Sequence, residues 1–391
     1  MSRPLSTFSP ATFAILIFFC LSCNKNTGDE EQEINRALRL NEKTIQIPLD
    51  EQTSDYSYGL AYYHSDKPLL FNFNPIKKAV QVYDLKTQQL FKELTFKKEG
   101  SEGIGRLTGF FIQNLDSIFI FTNTPNTIYL TDLAQSYLLP ISLNVPDGYA
   151  GPEFRSAPFY SYPILRKNKM LAKVAVPARM TEIEESQLSQ QFLSAAFSLE
   201  NGESSFSTHQ YPSGYMEEGL KAPYFSMAAS PDRVVYSFFG DHRLLVAEAN
   251  NETTKLVPAK SRYLPQGLPT LSRTADRLEY SNYLFTSPRY EGLIYDAYRE
   301  VFYRFCYPSI APKEQEEINQ LRAYPEDFSI MILDSKLKVL GESRFSGKHL
   351  VPNNVFVAEE GLYISSNHPD NPNAKEDVLE FILLELLSVK I

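Results

Sequence analysis

Residues 69–90 read LLFNFNPIKKAVQVYDLKTQQL. A β-forming run, LLFNF, is followed by the turn-forming NPIKK and by a second run, AVQVYDL, in which acidic Asp84 stands beside aliphatic Leu85. Asn and Pro favour a tight reversal, so short antiparallel strands joined by turns are predicted here. The same grammar returns in DSIFIFTNTPNTIYLTDL (116–133), DRVVYSFFGDHRLLVAEANNETTK (232–255) and GLYISSNHPDNPNAKEDVLEFILLEL (361–386).

The acidic marks of the successive copies are Asp84, Asp132, Glu200, Glu248, Asp334 and Glu385, spaced by 48, 68, 48, 86 and 51 residues. The short spacings suit a four-stranded propeller blade of about 40–50 residues. Six marks therefore imply six blades. The long spacings hold insertions. In 178–194, ARMTEIEESQLSQQFLS, Thr181 followed by Glu184 reads as a capping box that opens a short helix. A second short helix is predicted in 311–327, APKEQEEINQLRAYPED, after a long connection that contains LSRTADRLEYSNYL (271–284). Most other links are turns, whereas an α/β sheet needs a helix after nearly every strand.

A ring must close or it presents raw strand edges. TIQIP, residues 44–48, alternates cleanly, and the sixth unit stops at its third strand, so the N-terminal strand is expected to complete the last blade. The expected fold class is all-β: a six-bladed β-propeller over 43–391, with short helical insertions and a ring closed by the N-terminal strand. No residues remain for a fused hydrolase domain. In such a blade the loop between strands two and three opens on the same side as the crossover to the next blade. Both helical insertions, the crossover KKEGSEGIGRLTGFF (97–111) and the link 258–290 should therefore decorate one face.

Ahead of the propeller, FFCLSCNKNTGDEEQE (18–33) sets two of the three cysteines at the edge of an apolar segment. Residues 1–22 read as a signal sequence, with Arg3 before the apolar AILIFFCL and small Ser22 before Cys23. The apolar run is too short to span a bilayer. Small residue then cysteine resembles the lipobox of bacterial lipoproteins, which implies lipidation of Cys23, although Cys20 occupies the position where an aliphatic residue is usual. The alternative is an ordinary secretory signal or an uncleaved anchor. Residues 23–42 are polar and acidic, and read as a flexible tether. The expected address is the bacterial cell envelope, lipid-anchored at the outer membrane on its periplasmic or surface side, with the membrane as partner through Cys23. Cys306 is left as the one cysteine of the folded body, a small buried hydrophobe.

The 391 residues carry a net charge of -9 and 43% hydrophobic residues, and Tyr (24) and Phe (27) abound while Trp is absent. With no basic cluster beyond pairs such as Lys77-Lys78, nucleic acid is not an expected partner. GSEGIG (100–105) fits neither dinucleotide nor P-loop spacing. The five histidines stand singly, NHPDNPN (367–373) lacks EF-hand order, and there is no G-x-S-x-G elbow. No metal, cofactor or catalytic residue is assigned.

The run EGSEGIGRLTGFFIQNLDSIFIF (99–121) and YDAYREVFYRF (295–305) resemble the TolB-like six-bladed propeller lipoproteins of uncharacterised function. The likeness covers most of the mature chain. It implies a secreted, lipid-anchored propeller and carries no activity with it. The residues singled out as candidate ligand contacts are Glu99, Arg106, Asp296, Tyr298, Arg299 and Arg304. Arg106 should stand at the channel mouth on the decorated face, where a guanidinium can hold a carboxylate. Asp296 to Arg299 should fall in a turn on the opposite face. The alternative is that these Arg and Asp residues tie neighbouring blades together. Two functions follow from different classes. One is a binding module for a peptide, glycan or partner protein, without catalysis. The other is a metal-dependent lactonase- or lyase-like enzyme with a divalent ion in the channel. The inner strands FFIQN, FSMAAS and GLIYD are apolar or aromatic, which favours binding.

Overall fold

The computed structural model describes residues 35–389 apart from 65, 125, 150, 154–159, 175–179 and 249–252. The six sheets it contains are the six blades of a propeller. Blade I is built from Leu60–Tyr63, Leu69–Asn74, Ala79–Asp84 and Gln89–Thr95. The second and third strands are buried along their whole length, and the fourth is largely exposed. That gradient is the physical meaning of the opening stretch: a strand packed on both faces by neighbouring blades reads as a continuous β-forming run.

Blade II comprises Leu107–Asn114, Ser117–Thr122, Thr127–Thr131 and Leu138–Ser142. In blade III the inner position is shared by Pro152–Glu153 and Ile164–Arg166, followed by Lys169–Val174, Ser194–Ser198 and Ser204–Phe206. Blade IV runs Phe225–Ala229, Arg233–Phe238, Arg243–Glu248 and Thr254–Pro258, and blade V Arg289–Asp296, Val301–Tyr307, Asp327–Leu333 and Val339–Ser346. Apolar cores lie between blades. Val235, Leu244 and Val246 of blade IV, for example, pack with Phe302, Met331 and Leu333 of blade V.

Blade VI has three strands of its own, Val351–Val357, Leu362–Ser365 and Val378–Ser388, and its fourth is Arg36–Pro48. Arg36 pairs with Ser388 and Pro48 with Val378, so the N-terminal strand closes the ring as expected. The strand starts earlier than the sequence suggested. Residues 36–40, read as tether, pair with 384–388, ahead of a register shift between Leu40 and Thr44. Its polar and charged composition, with Arg36, Arg39, Asn41, Glu42 and Lys43, hid this strand, because an outer strand is largely solvated. Gly341 of blade V is what lets it pass: a Cβ there would sit 1.8 Å from the Arg36 carbonyl oxygen.

The acidic marks have a local cause. Asp84 accepts from the backbone N–H groups of Lys86 and Thr87, Asp132 from Ser136, and Asp334 from Lys336 and Lys338. Each carboxylate thus closes the turn between strands three and four. The glutamates do other work: Glu248 lies against Arg233 and Lys255, and Glu385 accepts from Asn41.

Among the described residues three α-helices decorate one face: α1 (Glu185–Leu188) and α3 (Gln315–Leu321) between second and third strands, and α2 (Arg277–Thr286) in the crossover from blade IV to blade V. The first capping box is shifted from the expected one. Glu184 and Gln187 form it, while Thr181 lies in a 3-10 turn, Met180–Glu182. Helix α2 was read as connection, yet its box, Asp276 with Glu279, is explicit in the sequence. The opposite face carries mainly short turns between strands one and two and between three and four. The closing strand begins on that plain face, because Arg36 is paired with the end of the third strand.

Candidate functional site

The central channel is stoppered. Its inner strands lead inward from the decorated face, and blade III sends Tyr160 and Tyr162 across the axis. The Tyr160 hydroxyl donates to the Asn353 carbonyl of blade VI at 2.9 Å, and Tyr162 donates to the Leu60 carbonyl of blade I at 2.8 Å. Met227 of blade IV donates its N–H to the Tyr160 carbonyl at 2.9 Å. Burial pushes both tyrosine hydroxyls well above their usual range. Gly292 of blade V is the seat of this plug, since a Cβ there would lie 2.7 Å from the Tyr160 ring. On the plain-face side remains a chamber of about 390 Å³, lined by residues such as Phe110, Ile112, Ala228, Leu293 and Val355. Among the described residues no group of three or more His, Cys, Asp or Glu could hold a metal ion.

A larger cavity, about 790 Å³, opens on the decorated face between blades III and IV beneath α2. The ends of two strands supply its charged floor. Lys173, at the end of the second strand of blade III, is buried at 6% exposure. Its Nζ lies 2.9 Å from Glu153 Oε2, donates to the Phe225 carbonyl at 3.2 Å and stands 4.4 Å from the centre of the Phe225 ring. Burial of an ammonium demands such partners. Its counter-charge is only half withdrawn, for the Glu153 side chain is 41% exposed.

The walls are aromatic and polar. Tyr211 donates to the Pro223 carbonyl at 2.6 Å, and burial pushes its hydroxyl well above the usual range. The hydroxyls of Tyr224 and Tyr280 are 3.2 Å apart. Asp276 and Arg277 come from the start of α2, and Met180 and Thr181 from the 3-10 turn. Arg277 is exposed, and its guanidinium forms no ion pair among the described residues. Asp276 Oδ1 accepts from Glu279 N–H at 2.9 Å while Asp276 N–H donates to Glu279 Oε2 at 2.8 Å, so the cap of α2 is already satisfied.

A second aromatic group stands on the same face. Tyr58, Tyr56, Tyr324 and His368 meet edge to face, with successive ring centres 5.4, 5.6 and 5.2 Å apart. Burial pushes the Tyr56 hydroxyl up to about 12. The nearby loop 367–373 is tied to the flanking chain: Asn367 Oδ1 accepts from Glu380 N–H, and Asn371 Nδ2 donates to the Ser366 carbonyl.

The residues singled out from sequence do not converge. Glu99 is exposed in the crossover to blade II, with Lys98 Nζ 3.3 Å away. Arg106 is exposed at the start of the inner strand of blade II on the decorated face, with no ion pair from its guanidinium among the described residues. Asp296, Tyr298 and Arg299 form the turn between strands one and two of blade V on the plain face. Asp296 accepts from the N–H groups of Tyr298 and Arg299 and holds the Arg299 guanidinium at 2.6 Å, while Arg299 donates to the carbonyls of Ala358 and Glu359 in blade VI. Tyr298 is exposed. Arg304 is fully buried, with Nε on Ser237 Oγ and three further donors on the carbonyls of Asp241, His242 and Ala259, all in or after blade IV. Burial lowers its affinity for the proton, and the Tyr290 ring lies 3.4 Å from the guanidinium. Arg299 and Arg304 thus tie blades together. The cavity residues were missed because they are far apart in sequence; the capping box at Asp276 was the one available signal.

Fold and decoration define a six-bladed propeller with one elaborated, cavity-bearing face. The chain belongs to the family described as Domain of unknown function (DUF4221), whose model matches residues 37–344. A member of that family from Bacteroides vulgatus has a similar solved structure, with TM-score 0.81 and 24% identity, covering 91% of this chain and 100% of that one. A Bacteroides fragilis protein whose name describes it as exported matches with TM-score 0.52 and 11% identity, over 91% of this chain and 96% of that one. A streptogramin B lyase structure reaches TM-score 0.42 at 10% identity, over 91% and 100%, a likeness that carries no argument. No curated protein matches the chain.

Proposed function

We propose that this chain is a lipid-anchored, TolB-like envelope propeller that acts as a binding module, with its ligand site on the decorated face. The observation that carries the reading is the cavity of about 790 Å³ into which two blades and α2 bring aromatic and charged side chains. Concave sites with a few converging polar groups are where small ligands and chain ends bind, and loops on a rigid scaffold are where binding groups usually sit. Catalysis by a divalent ion in the channel has no observation in its favour, since the chamber walls are apolar and aromatic.

Two measurements test this. Metabolic labelling with an alkyne fatty acid, followed by membrane fractionation, should mark the full chain and lose both label and membrane association in Cys23→Ser. Label that persists in Cys23→Ser would remove the anchor from the proposal. For binding, purified 33–391 is presented to glycan and peptide arrays beside a Tyr280→Ala variant with the same thermal stability. A ligand retained by the first and lost by the second is expected. Equal retention by both would overturn the cavity as the site.

A further inference from the structure

Resting on the binding reading, we infer that the cavity between blades III and IV is a subsite for an uncharged oligosaccharide. Among the described residues the charges of its lining are balanced. Lys173 and Arg277 equal Glu153 and Asp276 in number, and the most buried cation is already matched to a carboxylate at 2.9 Å. An ionic ligand therefore gains from one pair of groups and loses to the other, while a hydroxyl-rich ring uses both, because each hydroxyl donates and accepts. The start of α2 offers no free anion site, since Asp276 and Glu279 cap it reciprocally. The rest of the described lining includes four aromatic rings, Tyr211, Tyr224, Phe225 and Tyr280. With no Trp in the chain, the flat surfaces that cover the C–H face of a sugar ring are supplied by tyrosines. Tyr224 and Tyr280 meet through their hydroxyls, 3.2 Å apart, and both rings line the cavity, each an apolar surface with a polar tip.

A peptide fits less well. Extended peptides add to a free strand edge and read it through main-chain hydrogen bonds. Here the described walls are strand ends, a 3-10 turn and the first turn of a capped helix, which present side chains. Helical peptides need a long apolar groove, whereas Glu153, Lys173, Asp276 and Arg277 interrupt this one.

The test is isothermal titration of purified 33–391 with six probes: malto-, cello-, xylo-, manno- and laminarihexaose, and hexagalacturonate, together with a pooled decapeptide library. At least one neutral hexasaccharide should bind, with an affinity unchanged between 50 mM and 500 mM salt, as expected for an interaction without net charge, at about the salt range where paired ions are screened. Tyr280→Ala and Lys173→Met should each weaken it by roughly tenfold or more, about 1.4 kcal/mol, and Arg106→Ala should leave it unchanged. Circular dichroism melts confirm that each variant is folded, and Tyr280→Phe, which keeps the ring, should retain most of the affinity. Binding of hexagalacturonate or of peptide alone, lost in Tyr280→Ala, would overturn the sugar class while leaving the binding module intact. Neutral binding indifferent to Tyr280→Ala and Lys173→Met would overturn the location. No binding by any probe would overturn both this inference and the reading on which it rests.

Discussion

Lys173 and Arg304 are both buried cations that reach from one blade to its neighbour, and both lie against an aromatic ring, Phe225 at 4.4 Å and Tyr290 at 3.4 Å. Their surroundings differ. Arg304 is fully buried and sends four of its donors to one hydroxyl and three backbone carbonyls between two blades. Lys173 has a carboxylate partner that is partly exposed on an open cavity. Planarity explains the division: a guanidinium presents its donors in a fixed fork that can engage several acceptors of a rigid interface at once. Burial of a charge therefore locates a joint in this fold. Whether the joint is also a site depends on what its partners face.

The comparison is broken most forcefully at the joint itself. Arg304→Met takes their guanidinium donor from the Ser237 hydroxyl and from the Asp241 and Ala259 carbonyls, while the His242 carbonyl keeps the Ala259 N–H, and should cost about 3–5 kcal/mol of stability, whereas Lys173→Met, whose abandoned carboxylate can turn to water, should cost about 1 kcal/mol. Urea melts of the two variants measure this. Similar losses in both would mean that the two joints are equally closed.

Gly292→Ala sharpens the picture of the closed side. A methyl group 2.7 Å from the Tyr160 ring overpacks the plug and should cost about 1–3 kcal/mol. Hydrogen exchange at Met227 N–H, which donates to the Tyr160 carbonyl, should rise in step. A variant with unchanged melting and unchanged exchange would show that the plug is not seated on blade V.

The smallest effect is expected near the open side, at His209. Its Nδ1 lies 2.7 Å from the Tyr236 hydroxyl, which in turn meets Ser194 Oγ at 2.9 Å. Burial holds the imidazole below its usual range. The unfolded chain then takes up a proton more readily than the folded one, so the stability contribution is full above the usual histidine range and is lost as pH falls through the folded value. His209→Gln should reduce the acid-side slope of stability against pH at a cost of about 1 kcal/mol from the hydrogen bond. His242 and His368 shift in the same direction, so part of the slope should remain. An unaltered slope would exclude His209 as a contributor.

Much of the fold was legible. Residues 69–84 announce two strands buried on both sides, and Asp84, Asp132 and Asp334 recur because each closes the same kind of turn. The final blade was also legible, since it lacked a strand that TIQIP could supply. The first half of that strand, 36–42, was not, because an outer strand is largely solvated and carries polar and charged residues such as Arg36, Arg39 and Glu42 as a polar linker does. Helix α2 was passed over although Asp276 and Glu279 stand at capping-box spacing. The candidate site was scarcely legible at all. Arg106, Arg299 and Arg304 look alike as letters, yet one is exposed, one bridges two turns and one is sealed between blades.

The sequence by itself determined the repeat, the number of blades, the strand that closes the ring and the face that bears insertions. These are local matters of turn chemistry, strand burial and loop length, and each is written in contiguous residues. Only the tertiary structure decided that Tyr160 and Tyr162 stopper the channel and that Glu153, Lys173, Tyr224, Arg277 and Tyr280 share one cavity. Those groups meet because curvature of the ring brings the ends of separate strands and a crossover helix to the same place. Such contacts are set by packing between blades, which leaves no periodic trace along the chain.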